Sequence, residues 1–182
     1  MNGDSHASLS RQPTVTTPAT THSPAGAYPI VAGDASSPNY AIRYANGVLV
    51  INPAPVRVLS VSVQAVRLGK TKKTTQVIVL QFSGALNPGD AQAIGNYSLV
   101  TIPSNKKQKS TAVALSQATY NPVNNTVTLV TRSALVLNPP LKLTINAAGL
   151  LDSLGRPLDG NHDGQPEGNC VVTLSKSGAT IA

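Results

Sequence analysis

The sequence predicts an all-β fold: an antiparallel β-sandwich over about residues 55–177, preceded by a short β-meander over 14–54 and a flexible tail over 1–13. Three observations carry this. From Tyr28 onward, short apolar runs alternate with turn signals at the spacing of sandwich strands. Fourteen Gly and 14 Pro among 182 residues supply those turns. No stretch of useful length shows the 3.6-residue period of an amphipathic helix.

The elements follow in order. Residues 1–13 are polar and unpatterned. Thr14-Val15-Thr16-Thr17 reads as a short strand, held to an edge position by Pro13 and Pro18. Tyr28–Val31 is a second strand, followed by a polar turn from Gly33 to Pro38. Asn39–Tyr44 alternates inward and outward, Asn46-Gly47 supplies a two-residue hairpin turn, and Val48–Ile51 returns. Pro53 and Pro55 then interrupt any ladder, because neither can donate a backbone hydrogen bond. They set the domain boundary and make a semi-rigid joint.

Beyond the prolines, Val56–Val63 alternates with a phase change at Val58–Leu59 that predicts a bulge. Gln76–Phe82 is continuously apolar enough to be a central strand. Asn87-Pro88-Gly89 opens a turn, and Asp90–Ile94 is the one helical turn expected. Strands follow at Asn96–Val100, Ala112–Tyr120, Thr126–Thr131 and Leu141–Ala147, with Pro122–Asn125 as a hairpin turn. In the last of these strands Leu141, Leu143 and Ile145 face inward and Lys142, Thr144 and Asn146 outward. Cys170–Leu174 closes the set.

Composition narrows the function classes. With one Cys, three His and seven acids, there is neither a cysteine zinc site nor an internal disulfide. No apolar run approaches the roughly 20 residues that span a bilayer. The net charge of +7 invites a nucleic-acid reading. Its two basic clusters, Lys70-Thr71-Lys72-Lys73 and Lys106-Lys107-Gln108-Lys109, contain no stacking aromatic and read as solvated hairpin loops. No nucleic-acid partner is expected; an anionic glycan or cell-wall polymer is the partner such loops would attract. Met1–His6 lacks the basic and apolar regions of a signal peptide. Either the protein is cytoplasmic, or the chain is a fragment of something exported.

Two resemblances add to this reading. Ser37-Pro38-Asn39-Tyr40-Ala41-Ile42-Arg43-Tyr44-Ala45-Asn46-Gly47-Val48-Leu49-Val50-Ile51-Asn52-Pro53-Ala54, with Ser23–Ile30 before it, resembles the carboxyl-terminal half of an MBG repeat. Such repeats are β-rich modules arrayed in large bacterial surface and secreted proteins. Residues 56–175 resemble an S-layer-type bacterial Ig-like domain. The matching phrases are Phe82–Pro88, Asn96–Leu99, Tyr120–Leu129 and Leu150–Asn161. Together the resemblances imply a cell-surface or secreted, non-catalytic spacer or adhesion module. It would be a monomer with neighbouring repeats of the same chain as partners.

Four of the seven acids, Asp152, Asp159, Asp163 and Glu167, lie within residues 152–167. Asp159-Gly160-Asn161-His162-Asp163-Gly164 has the alternate oxygen spacing of the first half of a calcium loop. Asp159, Asn161 and Asp163 would give side-chain oxygens, Gln165 a carbonyl, and Glu167 or Asp152 the remaining charge. Position twelve is Cys170 and no helices flank the loop, so an EF-hand is excluded. The alternative is a loop whose Asp and Asn side chains bind their own backbone in Asx-turns. A carbohydrate-binding module is the competing class; lacking Trp, it would have to stack sugars on Tyr28, Tyr40, Tyr44, Tyr97 or Tyr120. Gly3-Asp4-Ser5 with Asp159 and His162 mimics the spacing of SGNH-type hydrolases, but Ser5 sits in a polar tail without the strand-to-helix turn that such a nucleophile needs.

Overall fold

The computed structural model describes residues 5–67, 74–105 and 107–182. The chain divides into two compact units, Met1–Ala54 and Pro55–Ala182. The basic cluster at Lys70–Lys73 and Lys106 of the second cluster lie outside the described residues; Lys107 and Lys109 are exposed.

The first unit holds a three-stranded antiparallel meander, β1 (Thr14–Thr16), β2 (Gly26–Gly33) and β3 (Gly47–Ile51), in the order β1-β2-β3. One sequence expectation fails here. Asn39–Tyr44 forms no strand, so Asn46-Gly47 is not a hairpin turn. Gly47 instead opens β3 opposite Ile30, and β3 pairs with β2 from Ile30–Gly47 to Gly26–Ile51. The β-branched run of β3 takes the strand already present, while Tyr44 is held by a hydrogen bond from its hydroxyl to the Ala35 carbonyl (2.9 Å). Within the described part of residues 1–13 the chain makes local contacts. Ser5 caps a 3-10 turn at His6–Ser8. Farther on, the Ser10 and Arg11 amides donate to the Ser36 carbonyl.

The second unit is the predicted sandwich. Among its described residues, eight strands form two four-stranded antiparallel sheets. One sheet runs β4 (Val58–Arg67), β5 (Thr74–Phe82), β8 (Thr126–Thr131) and β7 (Leu115–Asn121). The other runs β11 (Gly178–Ile181), β10 (Cys170–Ser175), β9 (Leu141–Ile145) and β6 (Tyr97–Thr101). The register shift between Val58 and Ser60 is the bulge that the phase change predicts. Central β5 reads as a near-continuous apolar run because Ile78, Leu80 and Phe82 face the core while Val77 is buried on the opposite face. Alternation on β9 buries Leu141, Leu143 and Ile145. These share one buried cluster with Leu99, Val172 and Leu174 of their own sheet and Leu80, Val127 and Leu129 of the other.

Among the described residues helix is confined to short turns, the longest being α1 (Pro88–Gln92), capped by the Asn87 carboxamide on Gly89 and Asp90. Two tyrosines tie loops to the core edge. Tyr97 donates to the Ala91 carbonyl at 2.7 Å. Tyr120 accepts from the Leu86 amide at 3.0 Å and donates to Asn125. β11 went unpredicted. It pairs with β10 as a terminal hairpin through residues whose apolar content is small.

Candidate functional site

The connection from β9 to β10, residues 146–169, carries the four clustered acids. Its sequence alternates apolar anchors with turn residues, and the structure uses both. Leu150 and Leu158 are buried in the core and fix the loop at two points. Between them, Leu151 bridges Pro157 and Asp152 bridges Leu86.

Asp152 is 2% exposed. Its Oδ1 accepts from the amides of Leu154 (2.8 Å) and Arg156 (2.9 Å). Oδ2 accepts from the Arg156 guanidinium through Nε (2.8 Å) and Nη2 (2.7 Å). A buried carboxylate is tolerated only when its lone pairs and charge are matched, and here they are. The aspartate builds the Ser153–Gly155 turn around itself, with Gly155 at φ 77° where a side chain would be strained.

Asp159 repeats the device seven residues on. It is 3% exposed, and its amide donates to the Val56 carbonyl (2.9 Å), tying the loop to the strand entrance of the sandwich. Its Oδ1 accepts from the Asp163 amide (3.0 Å) and Oδ2 from the Gly164 amide (3.1 Å). Asp163 in turn accepts from the Gln165 amide (2.8 Å) and from the Asn161 carboxamide (2.8 Å). Gly160 must be glycine. Any Cβ there would run into the Gly168 carbonyl and the Cys170 amide. The Gly160 amide instead donates to the Glu167 carbonyl (3.0 Å), closing the loop's neck.

The six residues expected to hold calcium therefore divide. Asp159, Asn161 and Asp163 share one loop with the Gln165 and Glu167 backbone, whereas Asp152 is committed to Arg156 in the preceding turn. Among the described residues no three His, Cys, Asp or Glu side chains converge closely enough to hold a metal ion. The carboxylates act on backbone amides, in the Asx-turn manner. What sequence reading missed is the role of Arg156, whose signal was present: a cation four residues after Asp152 inside a Gly-containing turn.

The other candidates are each described within their own unit. Ser5 belongs to the first unit, where its hydroxyl accepts from the Ala7 amide. Asp159 has both oxygens on backbone amides, and His162 is an exposed residue at φ 62°. Gly3 and Asp4 lie outside the described residues. Of the tyrosines proposed as sugar platforms, Tyr97 and Tyr120 are buried; Tyr40 and Tyr44 are exposed. Burial also pushes the Tyr97 phenol up and the Cys170 thiol up to about 11, which leaves Cys170 an inert core residue.

No helix among the described residues is long and apolar enough to cross a membrane. Comparison with curated proteins and with solved structures returns no match. Residues 1–50 match the family described as MBG domain (YGX type), a segment that holds β1, β2 and all of β3 but Ile51.

Proposed function

We propose that this chain is a non-catalytic structural module, a spacer or stalk segment of a bacterial cell-surface or secreted protein. Its sandwich would be an S-layer-type Ig-like domain following a partial MBG repeat. The observation that carries this reading is the MBG match over residues 1–50. The second unit agrees with it chemically. Its two buried acids spend their oxygens on holding a loop against the core, a use of charge that serves rigidity and not turnover.

The carbohydrate-binding alternative is decided by a glycan array probed with the intact chain. The spacer reading expects no selective binding. Strong binding to one glycan class, abolished by Tyr40→Ala with Tyr44→Ala, would replace it.

Calcium is a second reading for the 159–167 loop, favoured by Asp159, Asn161 and Asp163 occurring at alternate positions of one short loop. Binding in the roughly millimolar range of extracellular modules would stabilise the native state by mass action. Melting the chain in millimolar calcium and in chelator tests it. Equal melting temperatures leave the loop to its hydrogen bonds; a rise in calcium that Asp163→Ala removes assigns the ion.

A further inference from the structure

Charge in the second unit is sorted by end. In one sheet the register places Arg67, Thr74, Leu115 and Thr131 at one end and Val58, Phe82, Asn121 and Thr126 at the other. In the second sheet Thr101, Leu141, Ser175 and Gly178 share one end, and Tyr97, Ile145 and Cys170 the other. Hydrogen bonds join like ends. The Thr101 amide donates to the Thr111 carbonyl, and the Arg132 amide to the Ala114 carbonyl, in the chain that leads into Leu115.

Every acid of residues 55–182 belongs to the Phe82 end: Asp90 on α1, and Asp152, Asp159, Asp163 and Glu167 in the connection from β9 to β10. Arg57 and Arg156 accompany them. The opposite end, the tip, carries no acid and six described cations. These are Arg67, Lys107, Lys109, Arg132 and Lys176, with Lys142 one residue inside the end of β9. All six are exposed, and neither ion pair among the described residues involves them. Lys109 lines a groove with Thr101 and Asn138 beside β6, whereas Lys176 lines one with Gln76 and Leu137 beside β4 and β11, across the tip. Lys70, Lys72, Lys73 and Lys106 fall in the same connections in sequence, outside the described residues; the six suffice without them.

We propose that this tip is a binding site for a flexible anionic polysaccharide, held by charge density and not by sugar identity. Four strands about 4.8 Å apart and two sheets about 10 Å apart make an end face of roughly 15 by 10 Å. Across so small a face the cations lie within one or two Debye lengths, about 8 Å each at physiological salt, so their fields add. Four of the six are lysines, point charges that suit a chain of anions without fixed geometry. Other polyanionic surfaces fit less well. The described tip offers no aromatic side chain to stack a base and no helix to enter a groove. Of the large exposed hydrophobic residues only Val136 lies here, too little to anchor a membrane. The placement of such a polymer at a cell surface rests on the module reading above; the binding itself does not.

Titration of the intact chain into fluorescently labelled heparin, polygalacturonate and neutral dextran, read by polarisation, is the test. Both anionic chains should bind, with affinity falling steeply between about 50 and 200 mM salt as counterion release requires, and dextran should not. Binding by only one of the two narrows the anion to sulfate or carboxylate and upholds the site. Lys109→Glu with Lys176→Glu should weaken binding by roughly tenfold or more, and the corresponding pair of glutamines by less. Arg43→Glu with Arg57→Glu reaches the same net charge away from the tip and should keep the parent's affinity. Equal melting temperatures of the variants exclude misfolding as the cause. The proposal is overturned if the parent does not bind at low salt, if the Arg43 and Arg57 pair loses as much as the tip pair, or if dextran binds as well. Tighter binding of a DNA duplex or of anionic vesicles also overturns it. None of these failures touches the spacer reading, which needs no ligand.

Discussion

Asp152 and Asp159 have oxygens already committed to donors within the fold, and substitution measures that commitment. Asp152→Ala leaves the Arg156 guanidinium and two loop amides without their acceptor. Arg156 is partly exposed, so the loss falls chiefly on the two amides and costs about 1–3 kcal/mol, read as a lower urea midpoint with unchanged slope. Asp152→Asn keeps one carbonyl oxygen for the amides and loses less. Cys170 sets a pH limit. Burial raises its thiol to about 11, so the unfolded chain ionises first as pH climbs. The unfolded state then binds fewer protons than the native one, and stability falls across about pH 9 to 11. Cys170→Ala flattens that alkaline limb in a series of melts, while below pH 9 the parent shows no contribution from this thiol. Sequence revealed these acids as a cluster and left two readings open, ligand spacing and Asx-turns on their own backbone. Which oxygens meet amides depends on φ at Gly155 and His162 and on Leu150 and Leu158 reaching the core, and neither is encoded in spacing.

Strand identity was legible wherever one face is buried. The alternation of β9, the apolar run of β5 and the phase change at Val58 each report a real contact with the core. Legibility failed where burial is absent. Asn39–Tyr44 alternates as a strand should, yet no core selects one of its faces, and β3 pairs with β2 instead. β11 was missed for a related reason: Gly178, Ala179 and Thr180 carry little apolar signal, and its place is set by pairing with Val172–Ser175. Two element-scale outcomes follow. Leu143→Ala, in central β9, costs about 2–5 kcal/mol through lost burial and a residual cavity, measured by chemical denaturation. Tyr120→Phe keeps the ring and removes the acceptor of the Leu86 amide, costing about 1–3 kcal/mol.

At the scale of the whole chain, the two units differ in what sustains them. Pro55–Ala182 has a continuous hydrophobic core from both sheets; the described residues of Met1–Ala54 have none. Local opening free energies track buried apolar contact, so amide exchange at low concentration is fast throughout β1, β2 and β3 and slow in β5, β8 and β9. Limited proteolysis accordingly trims the first 54 residues and stops at the sandwich, whose melting transition stays where it was. Mass spectrometry of the protected fragment checks both statements. A protected first unit at micromolar concentration would mean that something in the chain covers it.

The pairing of β6 with β9 governs how the sandwich comes into being. Tyr97 meets Ile145, and the whole β7–β8 hairpin lies in the intervening chain. Closing so long a loop costs entropy before any contact returns it, whereas the β7–β8 hairpin closes through four residues, Pro122–Asn125. The hairpin therefore forms early and β6 waits. During synthesis β6 leaves the ribosome well before its partner exists, and its apolar face must remain uncommitted until β9 follows. A fold dominated by such distant pairings assembles in milliseconds to seconds. For this chain, the vulnerable interval is the one between the emergence of Leu99 and that of Leu143.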